Sequence, residues 1–290
     1  MKYAISHCTR YVYDCAALLS HHAARLTPRT FNGQTCISTN LAIDPAPAAV
    51  QEGADYFGNH MTIFAVQEAH QTLTVTAESV VEVFAPQPVN TAHTASWHVV
   101  RDALARPGIA ELGPSEFIHP SPLVPLMDEL QAYGAESFPF GRPILAGARD
   151  LTRRIHTDFA YDPGATTVST PLDEVWRLKR GVCQDFAHLQ IGCLRALGLA
   201  ARYVSGYLLS HPPPGQPRLV GADASHAWLS IWMPELGWID LDPTNDMMVG
   251  EEHIACAWGR DFDDVSPLKG VVVGGGDHSI HVAVDVMPLP

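Results

Sequence analysis

Cys183, His226 and the aspartates Asp240 and Asp242 are residues whose types and order suit nucleophilic chemistry. Cys183 stands in RGVCQDFAHL, just after a glycine and where a helix is predicted to begin. A thiol attacks only as its thiolate, and an ordinary cysteine, with a pKa of about 8.5, is only slightly ionised at neutral pH. Two features here would stabilise the anion: the positive end of a helix, and a histidine that keeps the proton as imidazolium. That histidine needs an acceptor on its other ring nitrogen to fix its tautomer and orientation. The N–H groups of the helix start would also receive the oxyanion that forms when a thiolate attacks an amide carbonyl.

Each of these residues also has a structural reading. Free cysteine is among the most buried residue types, and Cys8, Cys15, Cys36, Cys193 and Cys256 read as small hydrophobes of the core. His188, a turn and a half past Cys183, reads as structural. A metal centre on Cys183, His188 and His226 has suitable soft and imidazole ligands but lacks a fourth. The six cysteines form no CxxC pair, so neither a metal nor another cofactor is expected.

The elements that must position the site are legible from periodicity. HAWLSIWM (226–233) and GWIDLD (237–242) alternate strictly around a short turn at Pro234 to Gly237, which predicts a hairpin. Its register would set His226 opposite or diagonal to Asp242, whereas a slip of one residue would separate them. Asp240 shares the face of Asp242, so periodicity does not choose between the two. CQDFAHLQIGCLRALG predicts a helix from Cys183 with one apolar face, stopped by Gly198. Before it, Thr170, Pro171 and Asp173 give an N-cap, a first-turn proline and an acidic first turn for a helix ending near Arg180 and broken by Gly181. Pro143 opens another helix to about Thr157, and Trp97 to Arg106 is a shorter one.

Residues 1 to about 85 read as strands. Tyr3, Ile5, Thr9, Tyr11 and Tyr13 recur at near-alternating spacing, and so do Leu73, Val75, Ala77, Val81 and Val83. DYFGNH at 55–60 carries hairpin chemistry in Gly58 and Asn59. APQPVNTAH at 85–93 reads as a linker, AARYVSGYLL at 200–209 as a strand, HPPPGQP at 211–217 as an exposed loop, and DHSIHVAVDV at 277–286 as a last strand. Between 94 and 142 the pattern is otherwise weak.

Composition narrows the partners. The 290-residue chain is long enough to bury a full core, and 47% hydrophobic against 17% charged residues is a globular balance. With 18 Lys and Arg against 31 Asp and Glu, the net charge of -13 argues against a nucleic-acid partner. The amino terminus lacks the apolar core of a signal peptide and no apolar run reaches spanning length, so a cytoplasmic protein with no membrane partner is expected. Self-association as a homo-oligomer is an expectation for the edge of the first sheet or for Val271 to Val273.

Several stretches carry more than periodicity. GVCQDFAHL, RALGLAARYVSGYL, DASHAWLSIWMPELGWIDLDPTN and HIACAWGRDFDDVSPLKGVVVGGG, with YAISHCTRYVYD, RLTPR and DYFGN near the amino terminus, resemble the bacterial transglutaminase-like family, often described as candidate cysteine proteases. The resemblance spans nearly the whole chain. It implies an α+β fold: a papain-like, transglutaminase-like core with the cysteine helix packed on an antiparallel sheet (91–290, with a carboxy-terminal β extension), preceded by a small antiparallel β domain (1–90). It also implies Cys183 as nucleophile, His226 as general base and Asp242, of DPTN, as the orienting carboxylate. Tyr161 in DFAYDPG is a candidate second oxyanion donor. Animal transglutaminases place a tryptophan upstream for that purpose, but Trp97 and Trp176 stand at unsuitable positions here. DFDD at 261–264 lacks the ligand pattern of a calcium loop. The implied activity is thiol-dependent hydrolysis or acyl transfer at the amide of a peptide or protein substrate. The alternative from another class is a non-catalytic protein-binding module that keeps the fold.

Overall fold

The computed structural model describes residues 1–210 and 225–290, and the loop expected at 211–217 lies outside them. β1 (Lys2–Ala24), β2 (Gln34–Asp44), β3 (Ala49–Ala54), β4 (His60–Val66) and β5 (His70–Val83) form an antiparallel sheet in the order β2-β5-β1-β4-β3. The turn from β3 to β4 is the expected one, with Gly58 at φ +71 and the Asp55 carboxylate accepting the N–H groups of Phe57 and Asn59. A run of helices follows: α1 (Trp97–Ala105), α2 (Leu112–Ser115), α3 (Asp128–Glu136) and α4 (Ile144–Asp158).

The segment leading to the cysteine contains β6 (Ala160–Tyr161), α5 (Leu172–Leu178), β7 (Arg180–Gly181) and α6 (Cys183–Ala196). α5 starts one residue later than predicted, with Pro171 at its N-cap position, because the Thr170 hydroxyl instead accepts the N–H of Thr167. It ends at Lys179, in the left-handed region at φ 53, which frees Gly181 to pair in β7 beside Tyr161.

α6 departs further from expectation. The sequence predicts one apolar face, yet every residue from Gln184 to Arg195 is buried. α3 approaches one side, so closely that a Cβ on Gly134 would lie 3.1 Å from Cys193 Cβ, and the second antiparallel sheet, described next, covers another. Polar residues on the remaining sides are satisfied internally. Gln190 donates to the Ala148 carbonyl and Thr152 hydroxyl of α4, and Arg195 donates to the carbonyls of Phe117, Ala201 and Arg260.

β8 (Ala201–Leu208), β9 (Ser225–Met233), β10 (Gly237–Asp242), β11 (Met247–Met248) and β12 (His253–Gly259) build the second antiparallel sheet, ordered β11-β10-β9-β8-β12. Its inner face, with Leu229, Ile231 and Leu241, packs with α6 and α4 in the main core. After the short α7 (Phe262–Val265), β13 (Leu268–Gly274) and β14 (His278–Leu289) complete the chain. Expected as an extension of the core, they pair instead with β1 in the first sheet. Val284 and Val286 of β14 join Tyr3, Ile5, Val81, Tyr207 and Ile254 in a shared cluster that ties the two sheets together. Among the described residues, no helix is long and apolar enough to cross a membrane.

Candidate active site

Cys183 is the first residue of α6 and is half-buried. The turn before it is fixed by Asp185, whose Oδ2 accepts the N–H of Val182 at 2.8 Å and the hydroxyl of Thr166 at 2.6 Å. Burial pushes the Asp185 carboxyl up, and those two hydrogen bonds oppose the rise. A Cβ on residue 181 would lie 2.4 Å from the same oxygen, which is why a glycine precedes the cysteine turn.

His226 stands at the start of β9, and the register pairs Trp238 with Trp232 and Asp240 with Ser230. Carried on, it sets Asp242 diagonal to His226. His226 Nε2 donates to Asp242 Oδ2 at 2.7 Å, with only 9% of the histidine side chain exposed and none of the aspartate. Asn245 Nδ2 lies 3.4 Å from the same Nε2, and Cys183 lines the same cleft as His226 and acts on the imidazole from there. Burial alone would depress the His226 pKa; the hydrogen bond to Asp242, the influence of Cys183 and the negative charge of Asp242 outweigh it and raise it to about 10.

Asp242 is more heavily bonded than a triad requires. Oδ2 also accepts from His253 Nε2 at 3.1 Å and from Asn245 Nδ2 at 2.7 Å, while Oδ1 accepts the N–H groups of Thr244 and Asn245. Burial favours the neutral acid, but the bonds from His226 and His253, the His226 charge and the Asn245 bond hold the carboxyl well below the usual range. Asp240 has a different partner: its Oδ2 accepts the indole N–H of Trp228 at 3.0 Å. The two aspartates that periodicity left equivalent are thus separated by what faces them.

His253 and Asn245 were not singled out from sequence. Asn245 closes the DPTN turn, and its distance of three residues from Asp242 was the available signal. His253 opens the short alternating run HIACAW, which reads as a strand once its period is counted. The ligand atoms of His226, Asp242 and His253 lie within 4.8 Å of one another. Their N···O separations of 2.7 and 3.1 Å are hydrogen-bond lengths; two ligands on one tetrahedral zinc stand about 3.3 Å apart.

The remaining sequence candidates are placed as follows. Tyr161 sits beside Gly181 across the β6–β7 pair and lines the cleft holding Cys183 and His226. Burial, followed by the nearby Cys183, raises its phenol pKa. His188 is buried against Tyr203, and its Nε2 accepts the N–H of Phe262, which separates it from the metal set considered above. Trp97 donates to the Pro139 carbonyl, and Trp176 packs with Tyr133 and Phe159. In DFDD, Asp261 caps α7, Asp264 pairs with Arg260 and Asp263 with Lys269. Burial pushes the Cys193 thiol up to about 12.

Comparison with known proteins decides the family. The model of the bacterial transglutaminase-like N-terminal region matches residues 3–82, and that of the transglutaminase-like superfamily matches residues 139–243. An uncharacterised protein of Mycobacterium tuberculosis is 43% identical over 301 residues, spanning 99% of this chain and 93% of its own length. The chain belongs to the transglutaminase-like superfamily. Its transglutaminase-like fold matches the crystal structure of a candidate cysteine protease from Cytophaga hutchinsonii with a TM-score of 0.75, at 20% identity, over 100% of this chain and 92% of that one. A protein-glutamine gamma-glutamyltransferase of Pseudomonas aeruginosa is 36% identical over 122 residues, which are 41% of this transglutaminase-like chain and 17% of that protein.

Proposed function

We propose that this protein is a thiol enzyme that attacks an amide, in a peptide bond or a glutamine side chain, and passes through a thioester on Cys183. The observation that carries the reading is His226, bonded to the buried Asp242 at 2.7 Å and lining the same cleft as Cys183 at the start of α6. The Cys183 thiolate adds to the amide carbon, and its oxyanion is received by the first N–H groups of α6 with the Tyr161 hydroxyl as second donor. The C–N bond then breaks as the proton on His226 Nδ1 passes to the leaving nitrogen, which departs as ammonia or an amine. Water or an amine attacks the thioester, His226 takes its proton, and the sulfur leaves as thiolate. Asp242 accepts from His226 Nε2 throughout, so the proton moves only at Nδ1.

Hydrolysis and amine transfer share this first half, and the nucleophile that reaches the thioester decides between them. Incubation with glutamine-containing and plain peptides in the presence of hydroxylamine, followed by mass spectrometry, tests the whole scheme. Hydroxamate or carboxylic-acid products, with an acyl adduct trapped on Cys183, are expected. Absence of both products and adduct across a broad peptide set would favour the non-catalytic binding module.

A further inference from the structure

Cys183 and His226 open into a cleft of about 460 Å³ whose far wall does not belong to the catalytic core. That wall is the first sheet: His7, Thr9 and Tyr11 of β1, with Ile280 and Val282 of β14. The register pairs Thr9 with Val282, Tyr11 with Ile280 and Tyr13 with His278, so alternate residues of both strands form one continuous stripe. A second hollow of about 350 Å³ continues the first, sharing Tyr11 and Ile280 and adding Tyr13, His22 and His278. Tyr11 and Tyr13 are stacked there with centroids 6.2 Å apart, and both rings pack against His278.

The charge of this surface is as informative as its shape. The chain carries a net charge of -13, yet no Asp, Glu, Lys or Arg is among the described residues that line the cleft. His7 adds no cation at neutral pH, since burial lowers its pKa to about 4 and its ring is held between the hydroxyls of Tyr207 and Thr9. By contrast Ile280 and Val282 are 51% and 53% exposed, side chains that a bound apolar group would cover. From Val282 to His278 the stripe spans four strand steps, roughly 13 Å at strand rise, the reach of about four residues of an extended peptide.

We infer that the first sheet is the acyl-donor recognition surface: a peptide with its reacting carbonyl at Cys183 runs over Val282 and Ile280 and sets an uncharged apolar or aromatic side chain against Tyr11, Tyr13 and His278. This rests on the reading of Cys183 as the nucleophile. It gives the amino-terminal region a task in substrate choice, and it disfavours acidic and basic residues on the acyl side, because a charge desolvated against Ile280 and Tyr11 meets no Asp, Glu, Lys or Arg among the described residues that line the cleft.

Matched tetrapeptide chloromethyl ketones test this without knowledge of the natural substrate, since alkylation needs only the nucleophile and the acyl-side subsites. With Phe or Leu at the varied residues, Cys183 of the full chain should be labelled at least tenfold faster than with Glu or Lys. Ile280→Asp, and independently Val282→Asp, should remove that preference; Leu18→Asp, at a β1 residue 59% exposed and outside the cleft, is the control and should keep both the preference and the iodoacetamide rate at Cys183 within about twofold. Equal rates for apolar and charged probes, or a preference that survives both substitutions, would overturn the assignment. Failure of the underlying reading looks different: iodoacetamide would label Cys183 no faster in the parent than in His226→Ala, and both proposals would fall together.

Discussion

Replacing Cys183 by alanine should abolish amide turnover, with a loss of about 10⁴-fold to 10⁶-fold in kcat, the range seen when the nucleophile of a catalytic triad is removed. The substitution leaves the fold largely untouched, because Cys183 is half-buried at the end of α6 rather than in its packed middle. Cys193→Ala is the informative partner. Cys193 is fully buried on the same helix, its thiol is pushed up to about 12 by burial, and it packs against α3. Its truncation should lower stability by about 1 kcal/mol through lost packing and leave turnover within about twofold. Turnover assays and thermal melts of the two variants separate these effects. Equal loss of activity in both variants would mean that thiol position on α6 is not what matters.

Asp242→Asn should lower kcat/KM by about 10³-fold to 10⁴-fold, because an amide donates where His226, His253 and Asn245 all require an acceptor, and His226 loses the group that fixes its tautomer. The same substitution should flatten the dependence of stability on pH at both ends. Asp242 is depressed below its unfolded value of about 3.9, so its contribution is present above that pH and is lost as pH falls toward the folded value. His226 is raised to about 10 from an unfolded value near 6.5. Its contribution is complete below pH 6.5 and drains away as pH climbs through 10. Urea midpoints at pH 3, 6, 8 and 10 should fall at both extremes for the parent and change less for the variant. Parallel profiles for the two proteins would show that the pair does not couple to folding as described.

Much of this arrangement was readable before any coordinates. Strict alternation in HAWLSIWM and GWIDLD carried the hairpin, and its short turn left one register that buries Leu229, Ile231 and Leu241. Glycine chemistry carried the turn at Asp55 to Asn59 and the stop at Gly198, whose φ is +76. What periodicity cannot carry is the identity of the neighbour across a strand. Asp240 and Asp242 share a face, and their partners separate them: the indole of Trp228 on Asp240, and His226, His253 and Asn245 on Asp242. The second half of β1 was hidden for a related reason. CAALLSHHAA lacks clean alternation because the strand changes both of its partners along its length, from β5 and β14 to β4 and β13, across an irregularity between Val12 and Ala17.

Long-range closure was the other blind spot. The alternation of DHSIHVAVDV predicts a strand without naming its partner, and pairing of β14 with β1 joins residues at opposite ends of the chain. That closure brings Ile280 and Val282 into the cleft of Cys183. α6 is buried beyond its apolar face: Gln190, on or near that face, and His188 and Arg195, off it, each meet a buried acceptor or donor on a neighbouring element.

The most direct test of the account is the pH dependence of Cys183 alkylation by iodoacetamide, followed by peptide mass spectrometry, in the parent and in His226→Ala. Burial lowers the imidazole pKa, but the bond to Asp242 and the influence of Cys183 raise it to about 10, which favours the imidazolium in the neutral range. Fast labelling that persists to about pH 6 in the parent and moves above about pH 8 in His226→Ala is the result the account predicts. Identical profiles in the two proteins, both rising only above about pH 8, would contradict it.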